Sequence, residues 1–510
     1  MTSFPRLPYP GISPGSTKGG KDTYPVRRVS RSLGRKLRLE VLEHRCLLAA
    51  AFDGIPAWIE VGPNRISQGT ASEHQLRLFD KVGAVSAIAV HPTDPDVLYA
   101  ATVNGGVWKT SNARMSRNDG LDNDGDGKYD LLDDDEVPTW QALTDNWPNL
   151  SMGAIAFDQS DSTYETLVAG NGRYSSLGRE GTPRGGLLRT TDGGQTWSEI
   201  GRTTFQNRNV SSIAVDGSLL LVATSDGIWR NTTTGAGPWT QVRTGNATDL
   251  VADPANASGY FAAIVGAGIF RSTNDGQTWN PASNGVTGVA ASAMIDLDAH
   301  AGGVYAAVSD NDSVTGVFRS TNSGGSWNAI GNIAAENIAT RPASLMMAFA
   351  ADPNDSDIVA VAGVTGNYFG DASANTWKRI VDQEANNTGS HADHRFFIYD
   401  QDGDFLDAND GGIYRLNRPH DENSRAYESI NGNLGITEVN DRFSLAYDWL
   451  NNSIVVGTQD NGSATQDSPG KPRFSDQVGN DGNTVAVEVS GNTAYRYVMS
   501  NNYGAFERLQ

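Results

Sequence analysis

The chain has 510 residues, of which 38% are hydrophobic, 8% aromatic and 19% charged. This length fits roughly two to four ordinary domains, or one large all-β domain. No apolar run reaches the about 18 residues that a membrane-spanning helix needs, which excludes such a helix. The one cysteine, Cys46, excludes a disulfide framework and a cysteine-based zinc site.

Charge is distributed unevenly along the chain. Residues 1–50 carry 10 Lys and Arg against 3 Asp and Glu, whereas the whole chain has a net charge of −20. The rest of the chain is therefore strongly acidic and repels phosphate backbones, so we expect no nucleic-acid partner. An acidic surface instead suits cations and neutral ligands.

Residues 1–52 form a segment of their own. Their first half is rich in Pro, Gly and Ser, which predicts disorder. A basic stretch then precedes a short apolar patch, an outline that fits either an export signal or a plain amphipathic tail. The patch resembles the LE-x-LE-x-R-x-LLA motif of exported and cell-surface proteins from planctomycete bacteria, and the matching residues are Leu39, Glu40, Leu42, Glu43, Arg45, Leu47, Leu48 and Ala49. The resemblance implies an extracellular or cell-surface protein.

Residues 53–510 are built from a repeat. Segments such as RTTDGGQTW and RSTNDGQTW end at tryptophans 42, 40, 48 and 50 residues apart, at positions 197, 239, 279, 327 and 377. This period is typical of one four-stranded propeller blade. Alternating apolar strands separated by Asp-Gly and Asn-Gly turns precede each tryptophan. The sequence therefore predicts an all-β fold, a β-propeller.

The repeated segment resembles the Asp-box, or BNR, repeat S/T-x-D-x-G-x-T-W. The copy from Thr190 to Trp197 matches completely, and Asn274 and Asn322 replace the Asp in two further copies. A tight hairpin needs Gly at positive φ, and the Asp or Asn side chain can cap backbone N–H groups of the turn. We therefore interpret these boxes as structural elements.

The number of blades follows from the tryptophans and the strands after them. Trp140 and the five later box tryptophans mark six blades, units near 395–431 and 443–478 add two, and 484–510 supplies three more strands. We expect a ring of eight or nine blades that is closed by an N-terminal strand around Trp58 pairing with GAFERL near the C-terminus. The alternative is a ring of seven blades with extra strands outside it.

A calcium-type loop interrupts the first box within the insertion 113–138. The template D-x-D-x-D-G-x5-D fits, with hard oxygen ligands at alternate positions around one Ca²⁺. The loop resembles dockerin and thrombospondin type-3 repeats, and a solvated acidic insertion is the alternative. The predicted ligands are Asp122, Asp124, Asp126, the carbonyl of Lys128, Asp130 and Asp133.

Polar strings that the boxes do not need crowd into the last blades. They are HADH, NDGG, QDNG and GNDG, and each lies at the start or end of a predicted inner strand, which directs them towards one end of the central channel. Candidate catalytic residues are Asp393, Asp410, Asp460 and Asp481, and candidate ligand-binding residues are His391, His394, Asn409, Gln459, Asn461 and Asn480. A transition-metal site is disfavoured, because H-x-x-H on a strand turns the two rings to opposite faces.

Together these strings resemble exported BNR proteins related to sortilin-type and xyloglucanase-type propellers. In the glycosidases of that group two Asp residues act as acid and base, although no motif here identifies either one. The R-I-P motif of sialidases is absent. Three functions remain open: a secreted, monomeric module that binds polysaccharide or a surface protein, a glycoside hydrolase with a carboxylate pair at the channel mouth, or a purely structural surface domain.

Overall fold

The computed structural model describes residues 61–68, 80–115, 137–175, 181, 185–341, 346–501 and 504–510. In this part of the chain nine sheets follow one another, and seven of them consist of four consecutive antiparallel strands each. The all-β prediction is therefore confirmed. Glu60–Gln510 forms one compact unit, to which everything below refers.

The first four sheets are blades one to four. Blade one contains β2 (Val85–Val90), β3 (Leu98–Thr102), β4 (Val107–Thr110) and β5 (Trp140–Ala142). Blade two contains β6 (Met152–Phe157), β7 (Leu167–Asn171), β8 (Leu187–Thr190) and β9 (Ser198–Ile200). Blade three contains β10 (Val210–Asp216), β11 (Leu219–Thr224), β12 (Gly227–Asn231) and β13 (Thr240–Thr244). Blade four contains β14 (Ala247–Ala252), β15 (Tyr260–Ile264), β16 (Gly268–Ser272) and β17 (Asn280–Pro281).

Three further blades follow the same plan. Blade five contains β18 (Met294–His300), β19 (Gly303–Asp310), β20 (Ser313–Ser320) and β21 (Asn328–Ala329). Blade six contains β22 (Ala348–Ala351), β23 (Ile358–Ala362), β24 (Asn367–Asp371) and β25 (Thr376–Arg379). Blade seven contains β26 (Phe396–Tyr399), β27 (Phe405–Asn409), β28 (Gly412–Asn417) and β29 (Ala426–Ser429). Helices in the described residues are short, α1 at Arg202–Phe205 and 3₁₀ turns at Ile333–Glu336 and Gln383–Ala385, and none of them could cross a membrane.

Burial within each blade follows the position of the strand. The second strands are apolar runs, such as LYAAT in β3 and LLLVAT in β11, and every residue of these two strands is buried. Such continuous runs are expected where a strand is covered on both faces. The fourth strands β9 and β13, in contrast, contain no buried residue. The hydrophobic core therefore lies between the blades, in separate clusters at each blade–blade contact.

The ring closes with seven blades. First strands of neighbouring blades contact one another in the order β2, β6, β10, β14, β18, β22 and β26, and β26 contacts β2 again. The preferred ring of eight or nine blades is thus wrong, and the seven-bladed alternative is correct. Every blade takes its strands from one continuous stretch of chain, so closure needs no strand from the N-terminus.

Side chains of the first strands link neighbouring blades around the central channel. Thr248 Oγ1 donates to the carbonyl of Ile295 at 2.7 Å, and Asp249 Oδ2 accepts the N–H of Leu297 at 2.8 Å. Asp298 Oδ2 accepts the N–H of Ala351 at 2.8 Å in the same way. Because these strands do not pair through their backbones, short polar side chains supply the hydrogen bonds across the channel wall.

The box turns have the hydrogen bonds expected from their sequence. Asp192 Oδ1 accepts the N–H of Thr196 at 2.9 Å, and Thr190 Oγ1 accepts the N–H of Gly194 at 3.0 Å. The tryptophans add a contact that the sequence did not predict. The indole N–H of Trp327 donates to Ala282 at 2.6 Å, a residue of the preceding blade, and Trp377 and Trp140 make equivalent bonds to Ile330 and Ile430.

Two sheets lie outside the ring. The first outer sheet contains β30 (Leu445–Asp448), β31 (Ser453–Thr458), β32 (Gly462–Gln466) and β33 (Arg473–Val478), and the second contains β34 (Ala486–Ser490), β35 (Thr493–Met499) and β36 (Phe506–Leu509). A fifth strand, β1 (Arg65–Gln68), pairs in parallel with β33. The N-terminal strand of the described chain thus joins the first outer sheet and not GAFERL, whose strand β36 pairs with β35. Trp58 lies outside the described residues.

Candidate functional site

Four loops converge at one end of the ring. The HADH string precedes β26, NDGG forms the hairpin turn between β27 and β28, QDNG forms the turn between β31 and β32, and GNDG follows β33. Carboxylate oxygens of Asp393, Asp410 and Asp460 lie within 4.8 Å of one another. Asp481 joins them, because its Oδ1 accepts the N–H of Asp460 at 2.9 Å. The four candidate aspartates therefore form one cluster.

The NDGG turn shows how glycine permits this approach. Asn409 Oδ1 accepts the N–H of Gly411 at 3.0 Å, which closes the turn. A Cβ at Gly411 would lie 2.5 Å from the Cβ of His391, and a Cβ at Gly412, where φ is +118°, would lie 2.0 Å from Asn431 Oδ1. Glycine at position 411 therefore allows the HADH loop to pack against this hairpin, and glycine at position 412 leaves room for the side chain of Asn431.

Arg395 connects the cluster to the central channel. Its guanidinium forms a buried, two-point ion pair with Asp410, and its Nη1 donates to the carbonyl of Tyr174 at 2.6 Å. Arg395 also lines the channel cavity of about 390 Å³, next to a small pocket that contains Asp410 and Asp460. The aspartates thus lie at the mouth of the channel, in line with the position of their sequence strings at the ends of predicted strands.

The protonation of the cluster is set by burial and by neighbouring charge. Burial and the nearby carboxylates of Asp410 and Asp481 raise the pKa of Asp460 to about 9. Burial and Asp410 raise the pKa of Asp393 to about 6. Asp410 has the Arg395 guanidinium as its counter-ion. At neutral pH the carboxyl group of Asp460 is therefore protonated, and the carboxyl group of Asp393 beside it is mostly ionised.

A cleft of about 590 Å³ opens beside the cluster, and we call it the acidic cleft. Its walls come from the loops of blade seven, from both outer sheets and from the segment that enters blade one. The lining residues are Lys81, His391, Ala392, Asp393, Asp460, Asp476, Gln477, Gly479, Asn480, Asp481 and Asn501. Polar and charged side chains dominate this lining, so the cleft offers hydrogen bonds and little apolar contact.

The predicted ligand-binding residues divide into two groups. His391 and Asn480 line the acidic cleft, and burial lowers the pKa of His391. His394, Asn409 and Asn461 are buried inside the protein. His394 Nδ1 lies 2.9 Å from Asp407, within blade seven, and Asn461 donates to the carbonyl of Asp410 at 3.0 Å. These three residues hold the loops in place and do not reach the cleft.

Gln459 and four further residues complete the surroundings of the site. Gln459 lines the small pocket next to Asp410. Lys81, Asp476 and Asn501 line the cleft, and Arg395 fixes Asp410, yet none of the four was a predicted site residue. Arg395 directly follows the HADH string in the sequence, and this adjacency could have identified it as a site residue. Lys81 and Asn501 come from distant segments, which only the fold brings to the cleft.

A second group of carboxyl groups lines the channel and was not expected from the sequence. Burial raises the pKa of Asp249 and of Asp296, whose side chains share a hydrogen bond, and burial raises the pKa of Asp298 to about 6. Asp249 and Asp298 accept the interblade bonds described above. Asp249 and Asp298 therefore help to connect neighbouring blades through hydrogen bonds.

The oxygens of Asp393, Asp410 and Asp460 are also close enough to surround one hard cation, which prefers carboxylate ligands. The calcium loop predicted from the sequence is separate from this cluster in the chain. Its residues, Asp122 to Asp133, lie outside the described part of the chain, so its assignment stays a prediction.

No family model matches the chain, and no curated protein does. Among solved structures, an ancestral GH74 enzyme is 17% identical with a TM-score of 0.56, covering 83% of this chain and 59% of its own. The GH74 enzyme of Niastella koreensis is 15% identical with a TM-score of 0.58, covering 85% and 67%. The GH74 xyloglucanase of Xanthomonas campestris is 15% identical with a TM-score of 0.56, covering 84% and 65%.

These likenesses establish the fold. The protein is a β-propeller of the kind found in GH74 enzymes, with an acidic cleft at one end of its ring. The chain spans 59% to 67% of the length of the three enzymes.

Proposed function

We propose that the protein is an exported β-propeller that binds a neutral polysaccharide in the acidic cleft. The observation that carries this proposal is the convergence of carboxyl groups and amides on one open cleft of about 590 Å³. This volume lies in the usual range of small-molecule sites. Polar groups on all walls suit a ligand with many hydroxyl groups, and a net charge of −20 disfavours an anionic one.

Two further features support a carbohydrate ligand outside the cell. The fold is shared with enzymes that include a xyloglucanase. The motif at residues 39–49 resembles that of exported proteins, and residues 1–52 are then a targeting segment in front of the propeller. A surface protein as ligand, or no ligand at all, are the competing outcomes.

Binding is tested by isothermal titration of the full chain with xyloglucan oligosaccharides, and with polygalacturonic acid as the anionic control. Asn480→Ala and His391→Ala should each weaken binding of the neutral ligand about tenfold, through the loss of hydrogen bonds. Asp371→Asn is the matched control, because Asp371 caps an exposed turn of blade six and Asn can accept the same bonds. No binding of any neutral glycan would overturn the proposal.

A glycoside hydrolase is the second candidate, and the carboxyl pair Asp460 and Asp393 favours it. The raised pKa of Asp460 gives it the proton that a general acid needs at neutral pH. Both residues line the cleft, and their oxygens lie within 4.8 Å of each other. This spacing is below the about 6.5–9.5 Å of inverting enzymes and closer to the about 5–5.5 Å of retaining ones.

In that case Asp460 protonates the leaving glycosidic oxygen and Asp393 attacks the sugar as a carboxylate. Release of reducing ends from xyloglucan should then fall at least about a thousandfold in Asp460→Asn, while binding of the oligosaccharide persists. Hydrolysis that is unchanged in Asp460→Asn and Asp393→Asn would exclude this pair. Binding without any release of reducing ends would leave the protein a binding module.

A further inference from the structure

Three carboxyl groups face the space at the centre of the ring. Asp296 and Asp298 stand two residues apart on β18 and so point to the same side of that strand, and Asp249 comes from β14 of the preceding blade. All three residues are partly exposed and line the channel cavity of about 390 Å³. We call them the channel carboxyl groups. A cavity of this size lies in the usual range of small-molecule sites.

Within the described part of the chain, no basic side chain forms an ion pair with the channel carboxyl groups. Of the described residues around the cavity, only Arg395 and His300 are basic. The Arg395 guanidinium forms its ion pair with Asp410. His300 Nδ1 accepts the N–H of Gly302 at 3.1 Å, and burial lowers the pKa of His300, so its ring is neutral at neutral pH. The negative charge of the channel is therefore not balanced there.

The channel carboxyl groups carry two negative charges at neutral pH. Asp249 and Asp296 share a hydrogen bond, which requires a proton on one of them. Burial and the neighbouring carboxylate of Asp249 raise the pKa of Asp296 well above its ordinary value, so the proton belongs to Asp296. Burial raises the pKa of Asp298 only to about 6, so Asp298 is mostly ionised. One charge thus lies on Asp249 and one on Asp298.

The spacing of these charges does not suit a single metal ion. Among the described residues, carboxylate oxygens of three residues come within 4.8 Å of one another only in the aspartate cluster beside the acidic cleft. Residues that face the same side of a strand are roughly 6.7 Å apart, which separates Asp298 from the hydrogen-bonded pair. Apolar side chains, among them Met294, Met347 and Phe349, line the cavity as well. The arrangement suits two separated positive charges joined by an apolar chain.

A buried hydroxyl group provides independent evidence for a ligand in this cavity. Tyr399 lines the cavity and is only 7% exposed, and its hydroxyl has no hydrogen-bond partner in the described part of the chain. Burial and nearby carboxylates, Asp352 and Asp298 among them, raise the pKa of Tyr399, so this hydroxyl lies near Asp298. A buried polar group without a partner is costly, and an ammonium group can donate a hydrogen bond to its oxygen.

We propose that the channel binds a linear aliphatic diammonium ion, with one ammonium group at Asp249 and the other between Asp298 and Tyr399. The two positive charges of the ligand then balance the two negative charges of the channel. Its methylene groups contact Met347 and Phe349, which removes apolar surface from water. The net charge of −20 attracts such a cation from solution.

An uncharged polar pocket gives this ligand a way into the channel. The pocket has a volume of about 180 Å³ and shares Ser211 and Thr248 with the channel cavity. Its other lining residues include Asn209, Asn246 and Ser292. Hydroxyl and amide oxygens can accept hydrogen bonds from an ammonium group as it passes. The ligand therefore reaches the channel carboxyl groups without crossing the acidic cleft.

The test is isothermal titration of the full 510-residue chain with putrescine, and with butylamine, which has the same carbon chain but one ammonium group. Putrescine should bind, and butylamine at least about tenfold more weakly. Tyr399→Phe removes only a hydroxyl without a partner, so it should weaken putrescine binding about tenfold and leave the melting temperature unchanged or higher. Asp298→Asn should also weaken it at least about tenfold. Asp296→Asn should retain binding, because its amide can donate to Asp249 and both charges remain.

Tyr414→Phe is the matched control. The buried Tyr414 hydroxyl donates to the carbonyl of Asp80 at 3.1 Å, and Tyr414 is not among the residues that line the channel cavity. This variant should lower the melting temperature and leave putrescine binding unchanged. Circular dichroism melting shows that each variant folds.

Several outcomes would overturn the inference. A wild type that does not bind putrescine does so, as does binding that persists in both Tyr399→Phe and Asp298→Asn, or equal affinity for butylamine. Loss of binding in Asp460→Asn but not in Asp298→Asn would place the amine in the acidic cleft and would also overturn it. Titration with xyloglucan oligosaccharides tests the acidic cleft and is independent of all these results.

Discussion

The N–H of Thr139 donates to Oδ1 of Asn112 at 2.8 Å, although 27 residues separate the two. In the uninterrupted box of blade two the same bond joins Asp192 and Thr196, four residues apart. Thr110 completes the correspondence, because its Oγ1 donates to Asn112 at 2.9 Å, as Thr190 does to Asp192 at 2.7 Å. The insertion therefore leaves the first box intact, and the ends of the loop meet at a capped turn.

Loss of this cap should destabilise blade one. Asn112→Ala removes the acceptor for both Thr139 and Thr110, and we expect the free energy of unfolding to fall by about 1–2 kcal/mol. Asn112→Asp keeps the acceptor and should be close to neutral, since the boxes use both residues at this position. The urea midpoint at unchanged slope measures the effect. Equal losses in both variants would show that the cap does not contribute.

Calcium should protect the inserted segment if the sequence-based assignment holds. Five carboxylates and a carbonyl, spaced as in known calcium loops, would lose their mutual repulsion on binding one ion. We expect millimolar calcium to slow proteolysis within 112–138, and Asp124→Ala combined with Asp126→Ala to abolish this protection. Magnesium at the same concentration is the control. Cleavage rates that do not respond to calcium in the wild type would contradict the assignment.

The sequence predicted the blades well because each is specified locally. Box turns, apolar second strands and tryptophans recur within about 50 residues, so the six fourth strands and the later units could be placed by pattern alone. Ring closure is not local. It depends on whether β26 reaches β2, which follows from the twist and angle between blades, and no residue pattern near Trp58 or in β36 encodes that angle.

For the candidate site too, some features could be predicted from the sequence and others could not. Asp393, Asp410, Asp460 and Asp481 were identified because polar strings at strand ends stood out from the repeat, and the topology brings them together. Their burial could not be predicted, since it depends on how tightly two glycine-containing hairpins pack. The channel carboxyl groups Asp249, Asp296 and Asp298 were missed because alternating Asp on an inner strand reads as an ordinary solvent-facing pattern.

Stability should fall as the pH rises from 5 to 8. Burial raises the pKa of Asp298 to about 6 and raises the pKa of Asp296, so the folded state binds these protons more tightly than the unfolded chain, where the pKa of Asp is about 3.9. The resulting stabilisation is complete below about pH 4 and is lost as the pH passes through the folded pKa. Each pKa unit corresponds to about 1.4 kcal/mol.

The variant Asp296→Asn tests whether the pH dependence of stability arises from the buried carboxyl groups of the channel. The amide can still donate to Asp249, and one buried charge is removed, so the melting temperature of the variant should change less between pH 5 and 8 than that of the wild type. Asp371→Asn is again the control, because hydrogen bonds in its turn lower the pKa of Asp371. A melting temperature that rises over this range, or equal slopes in wild type and Asp296→Asn, would contradict the explanation.

The ion pair between Lys81 and Asp476 should hold the first outer sheet on the segment that enters blade one. The Lys81 Nζ and Asp476 Oδ2 atoms lie 2.8 Å apart, and the two side chains are only 7% and 10% exposed. The backbone N–H of Lys81 donates to the carbonyl of Ile66 in β1, and the N–H of Ile66 donates to the carbonyl of Lys81. Lys81→Met leaves the Asp476 carboxylate buried without its cation, which costs about 3–5 kcal/mol in comparable pairs.

Because the seven blades close on themselves, this loss should stay local: hydrogen exchange should quicken in β30–β33 and remain slow in β2–β29. Adding Asp476→Leu to Lys81→Met removes the unpaired charge and should restore most of the protection in β30–β33. Exchange that quickens equally in ring and outer sheet would show instead that the two parts unfold as one cooperative unit.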